Sequence, residues 1–315
     1  MKTLLILGGS GFIGKSILDS FCSGALDRYK IKKLILISRN ISKLKKKNIK
    51  NKNLEFKSLD LSKKIELPEA DIIIHAAENS IKKISLARFK KSIKLSSKIT
   101  DNLVEFLKIS KKKKCLIYFS SGAVYEANTK LVNIKEKNKL IKNDLKKNNL
   151  KNLYGLNKIQ SEKKLLKIKK KHDIIILRLF SFIGKNIPEN SNYILGNIKK
   201  SIRTKKTLKL NSKNLLSTYR SFLDVNDLII SMFKLIEKKS KLSSPIFNLG
   251  SDKSFSLLGL LKKLSKKFNF SYKLEKLQIQ NIDYYVPDIT KLQNIIGYKI
   301  NKNTYYLIKN YLSSK

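Results

Sequence analysis

The chain has 315 residues, is 42% hydrophobic, and carries a formal net charge of +46 from 69 Lys and Arg against 23 Asp and Glu. The apolar share suits a packed core and excludes an intrinsically disordered chain. No apolar run approaches the roughly 18 residues of a membrane span, and MKTLLILGG is too short an apolar run for a secretory signal, so a cytoplasmic protein is expected.

Taken in chain order, TLLIL (3–7) predicts a buried strand, followed by a glycine-rich turn and a helix from Phe12 to Cys22. KLILI (33–37), LEFKSL (54–59) and DIIIH (71–75) predict the next three strands. A long helical pattern runs from Leu86 to Lys108, and CLIYFS (115–120) reads as a fifth strand. Residues 126–151 are polar and loop-like; a helix then carries Tyr154 through Lys169, and DIIILRLF (173–180) is a sixth strand. Near-continuous apolar strands alternating with helices imply a parallel sheet covered on both faces, hence an α/β, doubly wound architecture. After Gly184 the pattern changes. Residues 185–218 are polar, DLIISMFKLIEK (227–238) is an amphipathic helix, PIFNLG (245–250) is a short strand, and two or three helical stretches finish the chain. This second region is expected to pack on the carboxyl ends of the strands.

The charge admits two explanations. One is nucleic-acid binding. The other, which the even spread of lysine favours, is a composition biased toward Lys, Asn and Ile. Runs such as Lys45–Lys47, Lys111–Lys114 and Lys169–Lys171 fall between apolar segments, where loops and helix ends belong. Six arginines stand among the 69 basic residues: Arg28, Arg39, Arg88, Arg178, Arg203 and Arg220. In a chain that otherwise uses lysine, an arginine points to a need for the planar, bidentate fork. Cys22 and Cys115 lie in apolar surroundings and are expected to be reduced core residues. The two histidines, His75 and His172, are far apart, so no metal site is expected.

The first strand ends in GGSGFIG, with Gly8, Gly11 and Gly14 three apart and Phe12 and Ile13 opening the helix. Glycine permits a sharp turn and close approach to a pyrophosphate, whose charge a helix N-terminus favours. The second strand ends in Ser38 and Arg39, where a NAD-selective site would offer a carboxylate to the ribose 2'-hydroxyl. Arg39 would instead clamp a 2'-phosphate, so NADP is preferred, with NAD possible. Tyr154 precedes Lys158 by four residues, one face of a helix. That spacing alone is uninformative, because six of the 13 tyrosines have it: Tyr29, Tyr154, Tyr272, Tyr298, Tyr305 and Tyr311.

Context separates them. GGSGFIG, Asp60-Leu61, HAA (75–77), SSGAVY (120–125) and YGLNK (154–158) occur in that order, followed by RLFSFIG (178–184), RSFLDVNDL (220–228), FNLGSDKSFSL (247–257) and VPDITKLQNIIGY (286–298). With this set the chain resembles the extended short-chain dehydrogenase/reductases, the nucleotide-sugar epimerase/dehydratase group, over nearly its full length. The resemblance implies a Rossmann fold with a smaller α/β C-terminal substrate-binding region. The dinucleotide domain would be 1–184 with 223–249 returning to it, and the substrate region 185–222 and 250–315. It implies Tyr154 as acid/base, Lys158 as its partner and holder of the nicotinamide ribose, and Ser121 as the hydroxyl that positions the substrate oxygen. Asp60, with Leu61 beside it, would read the adenine edge, and Ala76 and Ala77 would leave room for the cofactor. His75 would be structural. Arg220 would grip the substrate diphosphate, with Arg203 a weaker candidate. Ser181 stands where the family usually has asparagine, and Glu126 where it usually has glycine.

Sugar dehydratases of the group carry acidic residues directly after the catalytic hydroxyl, whereas Gly122 and Ala123 follow Ser121. The expected reaction is therefore NADPH-dependent reduction of a 4-keto nucleotide sugar. The alternative is a 4-epimerase with tightly bound NAD, and the remote alternative is a non-catalytic nucleic-acid binder on the same scaffold. The expected partners are a nucleotide-diphosphate sugar and a second copy, paired as a homodimer through helices 86–108 and 154–169.

Overall fold

The structure is a computed structural model describing residues 1–42, 44, 51–64, 66–78, 85–142, 150–188, 193–210, 215–274, 281–300 and 304–314. The chain divides into two compact units. The first comprises Met1–Val124, Ile141–Arg178 and Ser231–Phe247; the second comprises Tyr125–Leu140, Leu179–Ile230 and Asn248–Lys315. The chain changes unit at Leu179, and the loop 125–140 belongs with the second unit.

The first unit is built on β1 (Lys2–Leu7), α1 (Phe12–Cys22), β2 (Ile31–Ile37), β3 (Leu54–Lys57), β4 (Ile72–His75), α2 (Leu86–Ile109), β5 (Cys115–Ser121), α3 (Leu150–Leu166) and β6 (Asp173–Leu179). With β11 (Ile246–Leu249) the strands form a seven-stranded sheet in the order β11-β6-β5-β4-β1-β2-β3. β1 pairs in parallel with both β2 and β4, as do β2 with β3 and β4 with β5. Strand order therefore reverses between β1 and β4. Ligands of doubly wound sheets bind outside the carboxyl ends at such a switch point.

The strands hold this place because their side chains are buried on both faces: Leu4 through Leu7 and Leu34 through Ile37 are at most 1% exposed. One face is covered by Leu103, Val104 and Leu107 of α2 and Leu165 of α3, packed on Leu5, Ile73, Leu116 and Ile176. Each such side chain contributes roughly 1.5–3 kcal/mol of burial. Ser85 caps α2, its hydroxyl accepting from Arg88 N at 3.4 Å.

The second unit contains β7 (Phe182–Ile183), α4 (Ile194–Thr204), β8 (Leu208–Leu210), β9 (Thr218–Arg220), β10 (Leu223–Asp224), the first part of α5 (Val225–Glu237), β12 (Phe255–Ser256), α6 (Leu257–Phe268), β13 (Tyr272–Leu274), β14 (Asp283–Tyr285), α7 (Thr290–Ile296) and α8 (Thr304–Ser313). β9 pairs antiparallel with β12 and parallel with β14, which fixes Arg220 beside Tyr285.

Three expectations need correction. α3 begins at Leu150, so Tyr154 lies one turn inside the helix rather than at its start. α4 was not foreseen within the polar stretch 185–218. Cys22, at the end of α1, is exposed rather than in the core. Cys115 is buried, and that burial pushes its thiol up to about 12. Neither cysteine is in a disulfide. The Lys45–Lys47 run and part of the polar stretch 126–151 lie outside the described residues. Among the described residues, no helix is long and apolar enough to cross a membrane.

Candidate active site

β1 runs into Gly8, whose φ of +94° is left-handed backbone open to glycine. A Cβ on Gly8 would stand 2.5 Å from the Ala76 carbonyl oxygen, and one on Gly14 would stand 2.6 Å from the Gly9 oxygen. The loop therefore closes against the end of β4, and α1 starts directly beneath it with Gly11 as its N-terminal flank and Phe12 and Ile13 as its first residues. Gly8 N and Gly9 N both donate to Ile37 O at 2.9 Å, and Ala76 N donates to Leu7 O at 2.9 Å. These bonds tie the loop to the ends of β1, β2 and β4, with the α1 N-terminus available to an anion.

A cavity of about 180 Å³ opens here, its wall formed in part by Gly8, Gly11, Arg39, Asp60, Leu61, Ala76 and Ala77. The sequence reading had named each of these, and the fold brings them together. Ser10 and Ser38 share the wall, their hydroxyls 2.6 Å apart. The Asp60 carboxylate accepts from the Ser62 hydroxyl at 2.8 Å and from Ser62 N at 3.0 Å, which together with the nearby Arg39 cation hold it below the usual range. A dinucleotide would fit this wall, which would offer its phosphates the α1 N-terminus and a guanidinium at Arg39.

At the end of β5, Ser121 is half-buried, and its Oγ accepts from Ala123 N at 3.1 Å, closing the turn Gly122–Val124. α3 lies against that turn. A Cβ on Gly155 would stand 2.2 Å from Ala123 O, so only glycine permits the contact that sets Tyr154 beside the Ser121 turn. Lys158 is buried, 3% exposed, with Nζ 5.6 Å from the Tyr154 ring centre and 4.9 Å from that of Tyr118. Nζ donates to Phe119 O at 2.9 Å and meets the Glu78 carboxylate. Burial, the largest single influence, lowers this lysine, but the Glu78 carboxylate, Tyr118 and Tyr154 together outweigh it and hold the ammonium well above the ordinary lysine value. His75 is buried at the end of β4, its ring edge-on to Tyr118 at 5.3 Å. Burial, with a smaller contribution from Lys158, drives it down to about 3, so it is neutral and poorly suited to shuttling protons near neutrality.

Of the expected substrate residues, Ser121 lies in the first unit and Ser181, Arg203 and Arg220 lie in the second. Arg220 donates through Nη1 to Tyr219 O at 2.8 Å and Asp283 O at 3.0 Å, and through Nη2 to the Asp283 carboxylate at 2.5 Å. It is a guanidinium held in a set orientation. Ser181, half-buried, accepts from Leu223 N at 3.0 Å through its backbone oxygen, and Arg203 sits in the last turn of α4. Among the described residues, no group of three His, Cys, Asp or Glu side chains could hold a metal ion.

The sequence reading missed Glu78, which directly follows Ala76-Ala77, and Glu162, one helical turn beyond Lys158. Glu162 pairs with buried Arg178 through two bonds of 3.0 and 2.7 Å and also accepts from the Ser120 hydroxyl. The i, i+4 step from Lys158 to Glu162 was a visible signal. The partners of both carboxylates are distant in sequence and carried none.

The sequence profile of the NAD dependent epimerase/dehydratase family matches residues 4–250. An uncharacterized protein of Schizosaccharomyces pombe is 28% identical over 329 aligned positions, covering 89% of this chain and 84% of its own. Among solved structures, UDP-glucuronic acid 4-epimerase from Bacillus cereus, in complex with UDP-glucuronic acid and NAD, superposes with a TM-score of 0.77 at 20% identity over 98% of both chains. UDP-N-acetylglucosamine 4-epimerase from Methanobrevibacter ruminantium gives 0.79 at 20% identity over 99% of this chain and 97% of its own. dTDP-glucose 4,6-dehydratase from Streptomyces venezuelae, with NAD bound, gives 0.82 at 17% identity over 98% and 95%. These three likenesses show a shared fold.

Proposed function

The chain belongs to the NAD-dependent epimerase/dehydratase family, and from that premise we propose that it is an NADPH-dependent reductase of a 4-keto nucleotide-diphosphate sugar. The observation that carries the reading is the end of β2. Ser10, Ser38 and Arg39 line the cavity there, hydroxyl and guanidinium donors where a NAD-selective site would offer a carboxylate. Donors favour a 2'-phosphate and give a freely exchanging reductant its handle.

When bound, the cofactor supplies the hydride. Tyr154 delivers the proton to the oxygen that develops charge at carbon 4. Ser121 already accepts a bond from Ala123 N, and that geometry leaves its own hydroxyl proton to orient the substrate oxygen. Lys158 holds the nicotinamide ribose and lends its charge to Tyr154. An unperturbed phenol has a pKa near 10, so a proton transfer matched to neutral pH asks for about 3 units, roughly 4 kcal/mol, from that charge and the site around it. Asp60 and Leu61 take the adenine end. Arg220, oriented by Asp283, offers its guanidinium edge to the diphosphate, and Arg203 and Ser181 complete the substrate set. The active form is a homodimer through α2 and α3.

Elimination of water finds no support, because Gly122 and Ala123 fill a buried turn where a dehydratase of the group would carry acids. A second reading, a 4-epimerase with retained NAD, is favoured by the nucleotide in the B. cereus 4-epimerase. Denaturing the purified protein and identifying any released nucleotide separates the two. No retained nucleotide, NADPH bound at least about tenfold tighter than NADH, and NADPH consumption with a 4-keto nucleotide sugar are expected. Stoichiometric NAD would refute the reductase and establish the epimerase. Binding of neither nucleotide would move the +46 charge, and with it nucleic acid, from last place to first.

A further inference from the structure

Lys158 is gripped from two sides. Its ammonium donates to Phe119 O on β5 and meets Glu78, just beyond β4. The other Glu78 oxygen accepts from Ser96 Oγ on α2 at 3.2 Å, and Asn157 Nδ2, the neighbour of Lys158 on α3, reaches the same Ser96 oxygen at 3.5 Å. Glu78 and Ser96 also line the cavity of the glycine loop. The carboxylate is therefore fixed by two helices, on the wall where the cofactor is proposed to lie, against the one lysine that the chemistry needs. Among the described residues, the titratable groups facing that lysine are Glu78 beyond β4, His75 on β4, Tyr118 on β5 and Tyr154 on α3. Glu78 is the one carboxylate among them.

On the reading of Tyr154 as proton donor, we infer that Glu78 is a positioning residue: it pins Lys158 in the cavity wall and offsets its charge, and so governs how strongly Lys158 draws on the Tyr154 proton. With Glu78 present the buried ammonium has its anion, and Tyr154 keeps its proton until the substrate oxygen claims it. Reduction needs that state. Without the carboxylate, the phenolate of Tyr154 becomes the available counter-ion, which favours oxidation. Glu78 thus biases a reversible active site toward its reductive direction.

The test is a tyrosinate absorbance titration of the full chain without substrate. Wild type, Glu78→Gln and Glu78→Asp are compared, each with and without Tyr154→Phe so that the Tyr154 step appears as a difference. Removing a charge at this range should lower the Tyr154 midpoint by about one pH unit in Glu78→Gln. Glu78→Asp, which keeps the charge, should stay near wild type. If Glu78→Gln does not fold, as judged by circular dichroism, Ser96→Ala loosens the same carboxylate and should shift the midpoint in the same direction by less. An unchanged midpoint in the folded variant overturns the inference, as does an equal shift in Glu78→Gln and Glu78→Asp. The titration needs no turnover. A protein that reduces no 4-keto sugar would refute the proposed reaction while leaving this result to stand or fall separately.

Discussion

His75 offers a quantitative test of how the wall of the site is built. Both ring nitrogens are buried without a hydrogen-bond partner, and burial drives the imidazole from its ordinary 6.5 down to about 3. Between those values the unfolded chain binds a proton that the folded chain refuses. Stability therefore rises with pH through this window: the contribution is fully present above 6.5 and is lost as pH falls toward 3. Each pH unit inside the window is about 1.36 kcal/mol. A drop from about pH 7 to about pH 4.5 crosses some two units of it and should cost about 3 kcal/mol through this side chain alone. His75→Phe removes the titrating group and keeps an aromatic ring against Tyr118. Urea unfolding followed by circular dichroism at the two pH values gives the loss for each protein. Wild type should lose about 3 kcal/mol more than His75→Phe. Equal losses would show that the ring is solvated or partnered, and the account of an apolar, unsatisfied β4 end would be wrong.

Tyr154→Phe should lower kcat by about 10²–10⁴ while NADPH affinity, read by cofactor fluorescence, stays near wild type; retained turnover would remove Tyr154 from the proton transfer. Arg39→Ala deletes a charge-assisted contact of about 1.5–3 kcal/mol, so NADPH should bind roughly 10–100-fold more weakly with NADH unaffected, and an equal loss for both would refute the 2'-phosphate role. Gly155→Ala places a Cβ 2.2 Å from Ala123 O. α3 must shift, which should cost about 1–3 kcal/mol in urea unfolding and reduce kcat more than NADPH binding.

The central sheet was legible because TLLIL, KLILI and DIIIH are apolar on both faces, and only a strand covered on both sides uses such a run. α1 was legible to the residue because glycines mark its start. α4 was not. Its buried positions Leu195, Ile198 and Ser201 are three apart, but Gly196 and the surrounding Asn and Lys hide the stripe in a composition already saturated with polar residues. The start of α3 was blurred for the same reason: LKNL (150–153) reads as the tail of a polar loop, yet it forms the first turn of the helix. Cys22 was misjudged because apolar neighbours along a helix say nothing of which side faces out.

The site divides along a different line. Glycine spacing, the end of β2 and the Tyr154–Lys158 step are local, so they were read directly. What sets the charge of Lys158 is not local: Glu78 is 80 positions away in sequence. The scarcity of arginine partly bridges that gap. Arg178 makes a buried two-bond fork to Glu162, Arg220 is fixed by the carboxylate and backbone of Asp283, and Arg39 lines the cavity. A lysine can match the charge in each place but not the planar pair of donors. Where composition drives every replaceable arginine to lysine, those that remain mark positions where geometry, and not charge, is required. Three of the six thereby point to the interior and the site, whereas the +46 charge taken as a whole reads as biased composition.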